Sequence, residues 1–399
     1  MQKASKSFPS ALKLTTRTDA LRWLHRRGCA VILCLYGLAT AAAAVHVHVH
    51  GAETLKIGQT VTLTGPLSGL GKEVTAGLQA HIREVNASGG ISGRQLQLIQ
   101  LDDGYSEEQA ERNVARLARE GAVALLMPIG TSPAIGAMRA AAAHELPSVG
   151  AFTGAEATRK YSPVTFLLRA SFKDELEHIV QHVLTVGVSE IVVVHNANPG
   201  ATLGVEYVKG ALERAGKSLA GAVAVRDDAS DAEAAVTALN SLRPKAVVFS
   251  SSTHVATEVL KRFKPGAPST QFLAYSFVDG RAVAAQIGPL ATGLVVSQVV
   301  PDPWNAASPL AQQYRAAMVA AGTSELSYQS FEGYITARVL TEALRRAGTS
   351  PTPSRVRAAL ANFGAFSFGD LRIEFSDRRN IGRQQVELTM ISRDGRYVR

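Results

Sequence analysis

Cysteine is almost absent from this sequence. The 399 residues contain only two, Cys29 and Cys34, and both lie near the N-terminus. Beyond them no thiol is available, which excludes disulfides, thiolate metal sites and a cysteine nucleophile. Apart from the alternating histidines of "VHVHVH" at 45–50, no His/Cys/Asp cluster has the spacing of a metal site either. We therefore expect a protein stabilised by its core, with no metal ion and no cofactor.

Basic clusters are also missing from most of the chain. The net charge is +9, but residues 1–52 hold seven Lys/Arg and one acid, so the other 347 residues carry only +3. No Lys/Arg run and no alternation of basic and aromatic residues occurs there. A nucleic-acid-binding protein needs such an electrostatic footprint, so we expect no nucleic-acid partner.

No apolar run is long enough to span a membrane. The best candidate, "CAVILCLYGLATAAAAV" at 29–45, falls short of the ~20 residues required. Its order, with a basic segment before it and small residues at its end, is typical of a secretory signal. We predict that residues 1–52 are a signal peptide and tail, cleaved after Ala44 or Ala52, and that the protein is exported. "VHVHVH" is either part of that tail or, as a strand, a metal-binding face of His46, His48 and His50.

Apolar strands alternate with amphipathic helices from Leu55 onward. "LKIGQTVTL" has strand periodicity, and "KEVTAGLQAHIREVN" has an apolar helical stripe. The pattern predicts parallel sheets covered on both faces, divided between two doubly wound lobes. Ser106 and Gln109 predict a capping box, and Ser132 before Pro133 predicts an N-cap. Near the end, "FGDLRIEFS" and "QQVELTMISRDGRYV" predict a β pair.

The loop "TGPLSGLGKE" looks at first like a phosphate-binding loop. Gly65 and Gly71 are separated by five residues instead of four, and Glu73 stands where a hydroxyl should coordinate Mg²⁺. We therefore interpret it as a strand-to-helix turn. Ligands of open α/β sheets bind beyond the carboxyl ends of the strands, where this loop lies.

Two other loops at that edge favour an anionic ligand. "GTSP" predicts a helix N-terminus with free N–H groups and the hydroxyls of Thr131 and Ser132, which suits a carboxylate. "AFTG" adds Thr153. The alternative for Ser132 is a plain helix cap.

Catalysis has little support, because His254 and His195 have no nucleophile and orienting acid at recognisable spacing. Asp102 and Asp103 are explained by a strand-end turn or, alternatively, by a cation site.

The run "TGPL…G…G…A…EVNASGGISGR" and the later "FEGYITARVLTEALRRAG" resemble the leucine/isoleucine/valine-binding type of periplasmic substrate-binding proteins of ABC transporters. The resemblance covers residues 53–399. It implies a type I fold, with two lobes joined by three crossovers that close on a ligand. The implied lobes are 53–171 plus 299–375, and 172–298 plus 376–399. It also implies a monomer whose partner is an ABC permease in the inner membrane.

Carried over to this chain, the resemblance places the ligand-binding residues in six loops. The first loop contributes Ser68 and Leu70, and the carboxylate grip falls on Gly130, Thr131 or Ser132 and on Ala151 and Thr153. The remaining positions are Phe152, Pro199, Ser252, Tyr275 and Ser276. Several depart from the family: Leu70, Pro199 and Ser252 replace aromatic residues, and Ser276 replaces the acid that meets a ligand ammonium.

These departures leave the ligand open. Without the acid, an ammonium loses a charge-assisted bond of ~1.5–3 kcal/mol. The expected ligand is therefore a small carboxylate, either a branched-chain or related amino acid or a deaminated or aromatic acid. Two alternatives are a periplasmic sensory subunit of a receptor and a secreted hydrolase that uses His254. The main hypothesis is a non-enzymatic binding protein.

Overall fold

The computed structural model describes residues 54–65 and 67–399. The predicted signal segment, with both cysteines and the histidines of "VHVHVH", lies outside the described residues. Within them, no helix is both long enough and apolar enough to cross a membrane. The described chain folds around two large β-sheets, each with its own helices, and also has a separate two-stranded sheet. We call the part built on the first sheet the first lobe and the other the second lobe.

The first lobe begins with alternating strands and helices, as predicted. Its elements are β1 (Leu55–Val61), α1 (Ser68–Ala87), β2 (Leu96–Asp102), α2 (Glu107–Arg119), β3 (Ala124–Leu126), α3 (Thr131–Ala143), β4 (Ser148–Val149) and β5 (Thr165–Phe166). The strand order is β2-β1-β3-β4-β5, and every pairing is parallel. Strand β5 was not predicted, because two residues are too few to show a period.

The second lobe repeats this arrangement. Its elements are α4 (Phe172–Thr185), β6 (Ile191–Asn196), α5 (Pro199–Arg214), β7 (Gly221–Val225), α6 (Ala232–Leu242), β8 (Ala246–Ser250), α7 (Thr253–Phe263), β9 (Gln271–Ala274), α8 (Gly280–Ile287) and β10 (Leu294–Gln298). The strand order β7-β6-β8-β9-β10 is parallel and matches that of the first lobe.

The chain then returns to the first lobe before it ends on the second. Returning elements are α9 (Pro309–Ala320), α10 (Tyr328–Arg346), α11 (Pro353–Ala361), β11 (Gly364–Phe368) and β12 (Leu371–Phe375); β13 (Glu387–Ile391) and β14 (Tyr397–Val398) complete the second sheet. The β pair predicted between the last two segments is wrong. Strand β12 pairs with β11, and β13 pairs antiparallel with β10, so the second sheet is mixed.

Both sheets are buried on both faces, which explains the continuous apolar runs in the sequence. Along β6, Val192 and Val194 pack with α6 and α7, while Ile191 and Val193 pack with α4 and α5. In the first lobe, α1, α9, α10 and α11 cover one face and α2 and α3 the other. Each lobe therefore has the three-layer build of a doubly wound α/β domain, as expected from the alternation.

Two hydrogen bonds bear on the position of the last crossover. The N–H of Leu167 donates to Asn380 O at 2.7 Å, and Gly382 N–H donates to Leu167 O at 2.8 Å. Residues 380–382 are thus hydrogen-bonded to the segment that follows β5. We propose that the chain leaves the first lobe after Gly382 rather than at residue 375.

Two local predictions about helix starts need correction. Ser106 caps α2 by accepting from Gln109 N–H, but the Gln109 side chain bonds to Asn113 and Arg112, so the reciprocal half of the capping box is absent. Ser132 is not an N-cap. Helix α3 begins at Thr131, and its N-cap is Gly130, whose φ of 85° favours glycine and which has no side chain to bond the first N–H groups.

Candidate functional site

A cavity of about 1,210 Å³ lies between the two lobes, at the carboxyl ends of the parallel strands. In each lobe the strand order reverses between the first and third strands, β1 and β3 or β6 and β8. Open α/β sheets bind ligands at such switch points. Thr62, Thr64, Thr131 and Ser132 line the cavity beyond β1 and β3, and Asn196, Asn198, Ser252 and Thr253 line it beyond β6 and β8. Both switch points therefore open into one cavity.

The loop "TGPLSGLGKE" forms one wall of this cavity. Its lining residues are Thr64, Gly65, Leu67, Gly69, Leu70, Lys72 and Glu73. The loop is anchored by the strand-end acids. Asp102 accepts from Leu63 N–H and Thr64 Oγ1, both at 2.8 Å, and Asp103 accepts from Thr62 Oγ1 at 2.7 Å. These bonds give Asp102 and Asp103 a structural role. In the described residues no group of three His, Cys, Asp or Glu side chains could hold a metal ion.

Helix α3 presents its N-terminus to the cavity beside a tyrosine. The Thr131 hydroxyl lies 2.9 Å from the Thr153 hydroxyl, and both Thr131 and Tyr105 line the cavity. A Cβ added to Gly130 would lie 2.3 Å from Tyr105 Cε2, so the ring packs directly on the glycine. Burial raises the pKa of Tyr105. The hydroxyls and the dipole of α3 remain suited to an anionic group.

On the second lobe, amides and one acid form the facing wall. Asp227 accepts from Asn196 Nδ2 at 2.6 Å and from Asn198 Nδ2 at 3.2 Å. Asn196 Oδ1 in turn accepts from Ser252 N–H at 2.7 Å. These bonds join the loops after β6, β7 and β8. The polar wall is therefore held rigidly by its own hydrogen bonds, which favours a preformed site.

Aromatic rings close the cavity beside the first crossover. Phe172 lies 4.6 Å from Tyr275 in an edge-to-face arrangement, and Phe277 lies 6.1 Å from both rings. All three line the cavity. Such rings bury apolar parts of a ligand, and edge-to-face pairs add about 0.5–1.5 kcal/mol to their own packing.

The residues expected from the resemblance divide into two groups. Five line the cavity: Leu70, Thr131, Ser132, Ser252 and Tyr275. The side chains of six others lie outside the lining: Ser68, Gly130, Ala151, Phe152, Thr153 and Ser276. Pro199 begins α5 between two lining residues, Asn198 and Gly200.

Two of the six have clear structural partners. Thr153 is fully buried behind Thr131, and its hydroxyl also accepts from Ala155 N–H at 3.2 Å. The Ser276 hydroxyl accepts from Arg169 and donates to Glu175. Neither side chain faces the cavity, so each can affect a ligand only through its neighbours.

Several lining residues were not expected from the sequence. They are Glu73, Tyr105, Phe172, Asn196, Asn198, Asp227, Phe277, Asp279 and Gln329. Most follow a predicted strand, and Tyr105 stands in the loop "DDGYS" at the end of β2. An aromatic or charged residue in a strand-end loop was the available signal. No such signal identified Gln329, because it lies on α10, about 250 residues along the chain from the first loop that lines the cavity.

The histidine of the hydrolase alternative has no catalytic partner. His254 Nε2 lies 3.2 Å from the carbonyl oxygen of Asp228. The neighbouring serine hydroxyls have other hydrogen-bond partners. Ser252 Oγ accepts from Val255 N–H, and Ser251 Oγ donates to Ser252 O. Within the described part of the chain, no serine hydroxyl bonds to His254. The geometry therefore gives His254 no nucleophile to activate.

Comparison with known proteins gives consistent matches. The family described as "Periplasmic binding protein" matches residues 54–396. A Leu/Ile/Val-binding protein of Escherichia coli (strain K12) is 29% identical over 70 residues, which are 18% of this chain and 19% of the relative's length. The match thus spans only a small part of that relative.

Solved structures match over nearly all of the described chain. A possible leucine/isoleucine/valine-binding protein from Rhodopirellula baltica SH 1 is 29% identical, with a TM-score of 0.80, over 87% of this chain and 97% of its own. An extracellular ligand-binding receptor from Verminephrobacter eiseniae is 25% identical, with a TM-score of 0.81, over 87% of this chain and 100% of its own. These likenesses confirm the type I periplasmic binding fold.

Proposed function

The chain belongs to the periplasmic binding protein family, and we propose that it is the solute-binding subunit of an ABC importer. In this proposal it captures a small carboxylated solute, such as an amino acid or a deaminated or aromatic acid, between its lobes in the periplasm. It then delivers the solute to a permease in the inner membrane. The family is one of substrate-binding proteins, which agrees with a binding role and not with catalysis.

One observation carries the proposal: the cavity is built jointly by the switch points of both lobes. A ligand that bonds to Thr131 on one side and to the Asn196–Ser252 wall on the other holds the lobes together. Binding energy is thereby spent on closure, which is the hinge mechanism of two-lobed binding proteins. The volume exceeds the ~300–1,000 Å³ of common ligand sites, so it admits solutes larger than a branched-chain amino acid.

The test is a ligand screen followed by scattering. Amino acids and their deaminated analogues are screened by melting, because a ligand at a hundredfold excess over its Kd adds ~2.7 kcal/mol. Calorimetry should then give one site per chain, without turnover of the solute. Small-angle scattering should show a smaller radius of gyration with the bound solute. Saturating ligand at an unchanged radius would contradict closure, and a strain lacking this chain but retaining uptake of the solute would contradict the transport role.

A further inference from the structure

Carboxylates from both lobes line the same cavity. Glu73 comes from the second turn of α1 in the first lobe, and Asp279 caps α8 in the second lobe. Glu325, in the loop before α10, lines the same cavity. Asp279 uses Oδ1 to accept from Arg281 N–H at 2.9 Å and from Ala282 N–H at 3.2 Å. Among the described residues none donates a hydrogen bond to its Oδ2, which leaves that oxygen available to a ligand.

Neither of these two half-buried acids forms an ion pair with a basic side chain in the described residues. Burial and the charge of Asp279 together raise the pKa of Glu73 to about 7, although Ser327 and the charge of Arg281 oppose the rise. Burial also raises the pKa of Asp279. Arg281 is the nearest cation, but it stacks on Trp304 at 4.9 Å and donates to the carbonyl of Leu326. No ion pair within 4.0 Å joins it to either acid among the described residues.

Gln329 adds a second and independent observation. Its side chain is 5% exposed and lines the cavity, yet it has no hydrogen-bond partner among the described residues. The amide thus opens to the cavity, where it can exchange hydrogen bonds with a polar ligand that the described residues do not supply. Gln329 lies in the first turn of α10, two residues after Ser327, whose hydroxyl lowers the pKa of Glu73.

We propose that Glu73, Asp279 and Gln329 form a subsite for the ammonium group of the solute. This inference rests on the proposed function and narrows it: the ligand is an amine-bearing acid, not a deaminated one. The carboxyl group would bind at the α3 N-terminus and the ammonium at this acidic wall. The subsite differs from the position given by the resemblance, since Ser276 is engaged by Arg169 and Glu175 inside the second lobe.

The position of the acids also explains how such a ligand would close the cleft. A cation between Glu73 and Asp279 is attracted to one carboxylate of each lobe and relieves their mutual repulsion. Without it, closure brings like charges together in a partly buried site, which is unfavourable. A solute without the ammonium leaves this repulsion in place, so selectivity and closure depend on the same two side chains.

The test uses probes that differ only in charged groups. One set is L-leucine, 4-methylpentanoate and 3-methylbutylamine; a second is L-phenylalanine, 3-phenylpropanoate and 2-phenylethylamine; a third is 6-aminohexanoate with hexanoate. Affinities are measured by calorimetry at pH 7.5 on the native protein, Glu73→Gln and Asp279→Asn. Both changes nearly conserve shape, and asparagine is also a good helix cap.

We expect at least one amine-bearing acid to bind tenfold or more tightly than its deaminated partner. Glu73→Gln and Asp279→Asn should each reduce that ratio about tenfold. The matched control is Glu107→Gln, because Glu107 lines the same cavity but is already paired with Arg139 at 2.8 Å. It should leave the ratio unchanged. Melting of each variant without ligand verifies folding, and Glu73→Gln should melt no lower than the native protein at pH 8.

The outcomes separate the two claims. Equal binding of an acid and its deaminated partner, or a ratio that survives both substitutions, overturns the ammonium subsite and leaves the binding function standing. Failure of every probe to bind the native protein counts against the carboxylated solute of the proposed function, and the subsite falls with it.

Discussion

The absence of a side chain at Gly130 shapes one end of the cavity. Gly130 has a φ of 85°, and the Tyr105 ring occupies the space where its Cβ would be. Thr131, the first residue of α3, follows Gly130 directly and lines the cavity, as Tyr105 does. Glycine at this position therefore allows the tyrosine to pack close to the helix N-terminus.

Gly130→Ala is expected to weaken ligand binding at least tenfold. The new methyl group would lie 2.3 Å from Tyr105 Cε2 and must displace the ring. Positive φ also costs about 1–2 kcal/mol in any L-residue. Gly121→Ala is the matched control, since Gly121 has the same φ of 85° but open space around it. Calorimetry with the tightest ligand of the screen should separate the two variants. Equal loss of stability with equal affinity would show that the Tyr105 contact does not matter for binding.

At the scale of elements, the packing of α1 against α10 positions two residues of the acidic wall, Glu73 and Gln329. A Cβ on Gly77 would lie 1.7 Å from Ser330 O, and one on Gly333 would lie 2.3 Å from Val74 O. The two helices thus touch backbone to backbone through reciprocal glycines. Close contact at this point places Glu73 next to the first turn of α10, which carries Gln329.

Gly77→Ala should destabilise the protein by about 3 kcal/mol, because the backbone of α10 has to move to admit the methyl group. Gly210→Ala provides the opposite case. Gly210 is also inside a helix, but its added Cβ meets only the flexible end of Arg214 at 3.5 Å. There alanine should stabilise by about 0.5–1 kcal/mol. Urea unfolding of both variants tests this. A small and similar change in both would mean that the helix contact is loose.

Local sequence patterns predicted those parts of the fold that depend mainly on neighbouring residues. The alternation of apolar strands and amphipathic helices predicted the doubly wound lobes, because each strand is buried on both faces and each helix on one. It also predicted that the ligand-binding loops follow the strands. Strand β5 and the pairing of β11 with β12 were missed, since two-residue strands have no period and pairing partners depend on tertiary contacts.

The residues that line the cavity were predictable only where a single loop supplies them. Thr131 and Ser132 reach the cavity as expected, because a helix N-terminus after a strand is a local feature. Thr153 and Ser276 turned inward, since hydrogen bonds to Thr131 and Glu175 from distant segments orient them. The acidic wall joins residues about 250 positions apart, and no local pattern relates Glu73 to Gln329.

At the scale of the whole molecule, a buried ionic cluster connects the lobes. Arg169, between β5 and α4, donates to the Ser276 hydroxyl and lies 3.6 Å from Glu175 Oε1 in the second lobe. It also lies 3.8 Å from Glu332 Oε2, on α10 of the first lobe. Arg383, which follows the last crossover, interacts electrostatically with Glu332. Arg169 and Arg383, which lie on connections between the lobes, therefore interact electrostatically with Glu332 in the first lobe.

Glu332 makes stability depend on pH in a defined direction. Burial raises its pKa from 4.5 to about 7, while the charge of Arg169 opposes the rise. Between these values the folded state holds more protons than the unfolded chain, so the free energy of unfolding falls as the pH rises from about 4.5 through 7. A shift of this size corresponds to roughly 3 kcal/mol.

Glu332→Gln should remove this part of the pH dependence, because glutamine does not titrate. Urea unfolding at pH 5, 6, 7 and 8 gives the difference in unfolding free energy between native protein and variant. That difference should fall by about 3 kcal/mol over the range and level off above pH 8. Glu206→Gln, on the exposed face of α5, is the control and should give a constant difference. If the Glu332 difference is also constant, the carboxylate is charged throughout, and Arg169 and Arg383 fully compensate its burial.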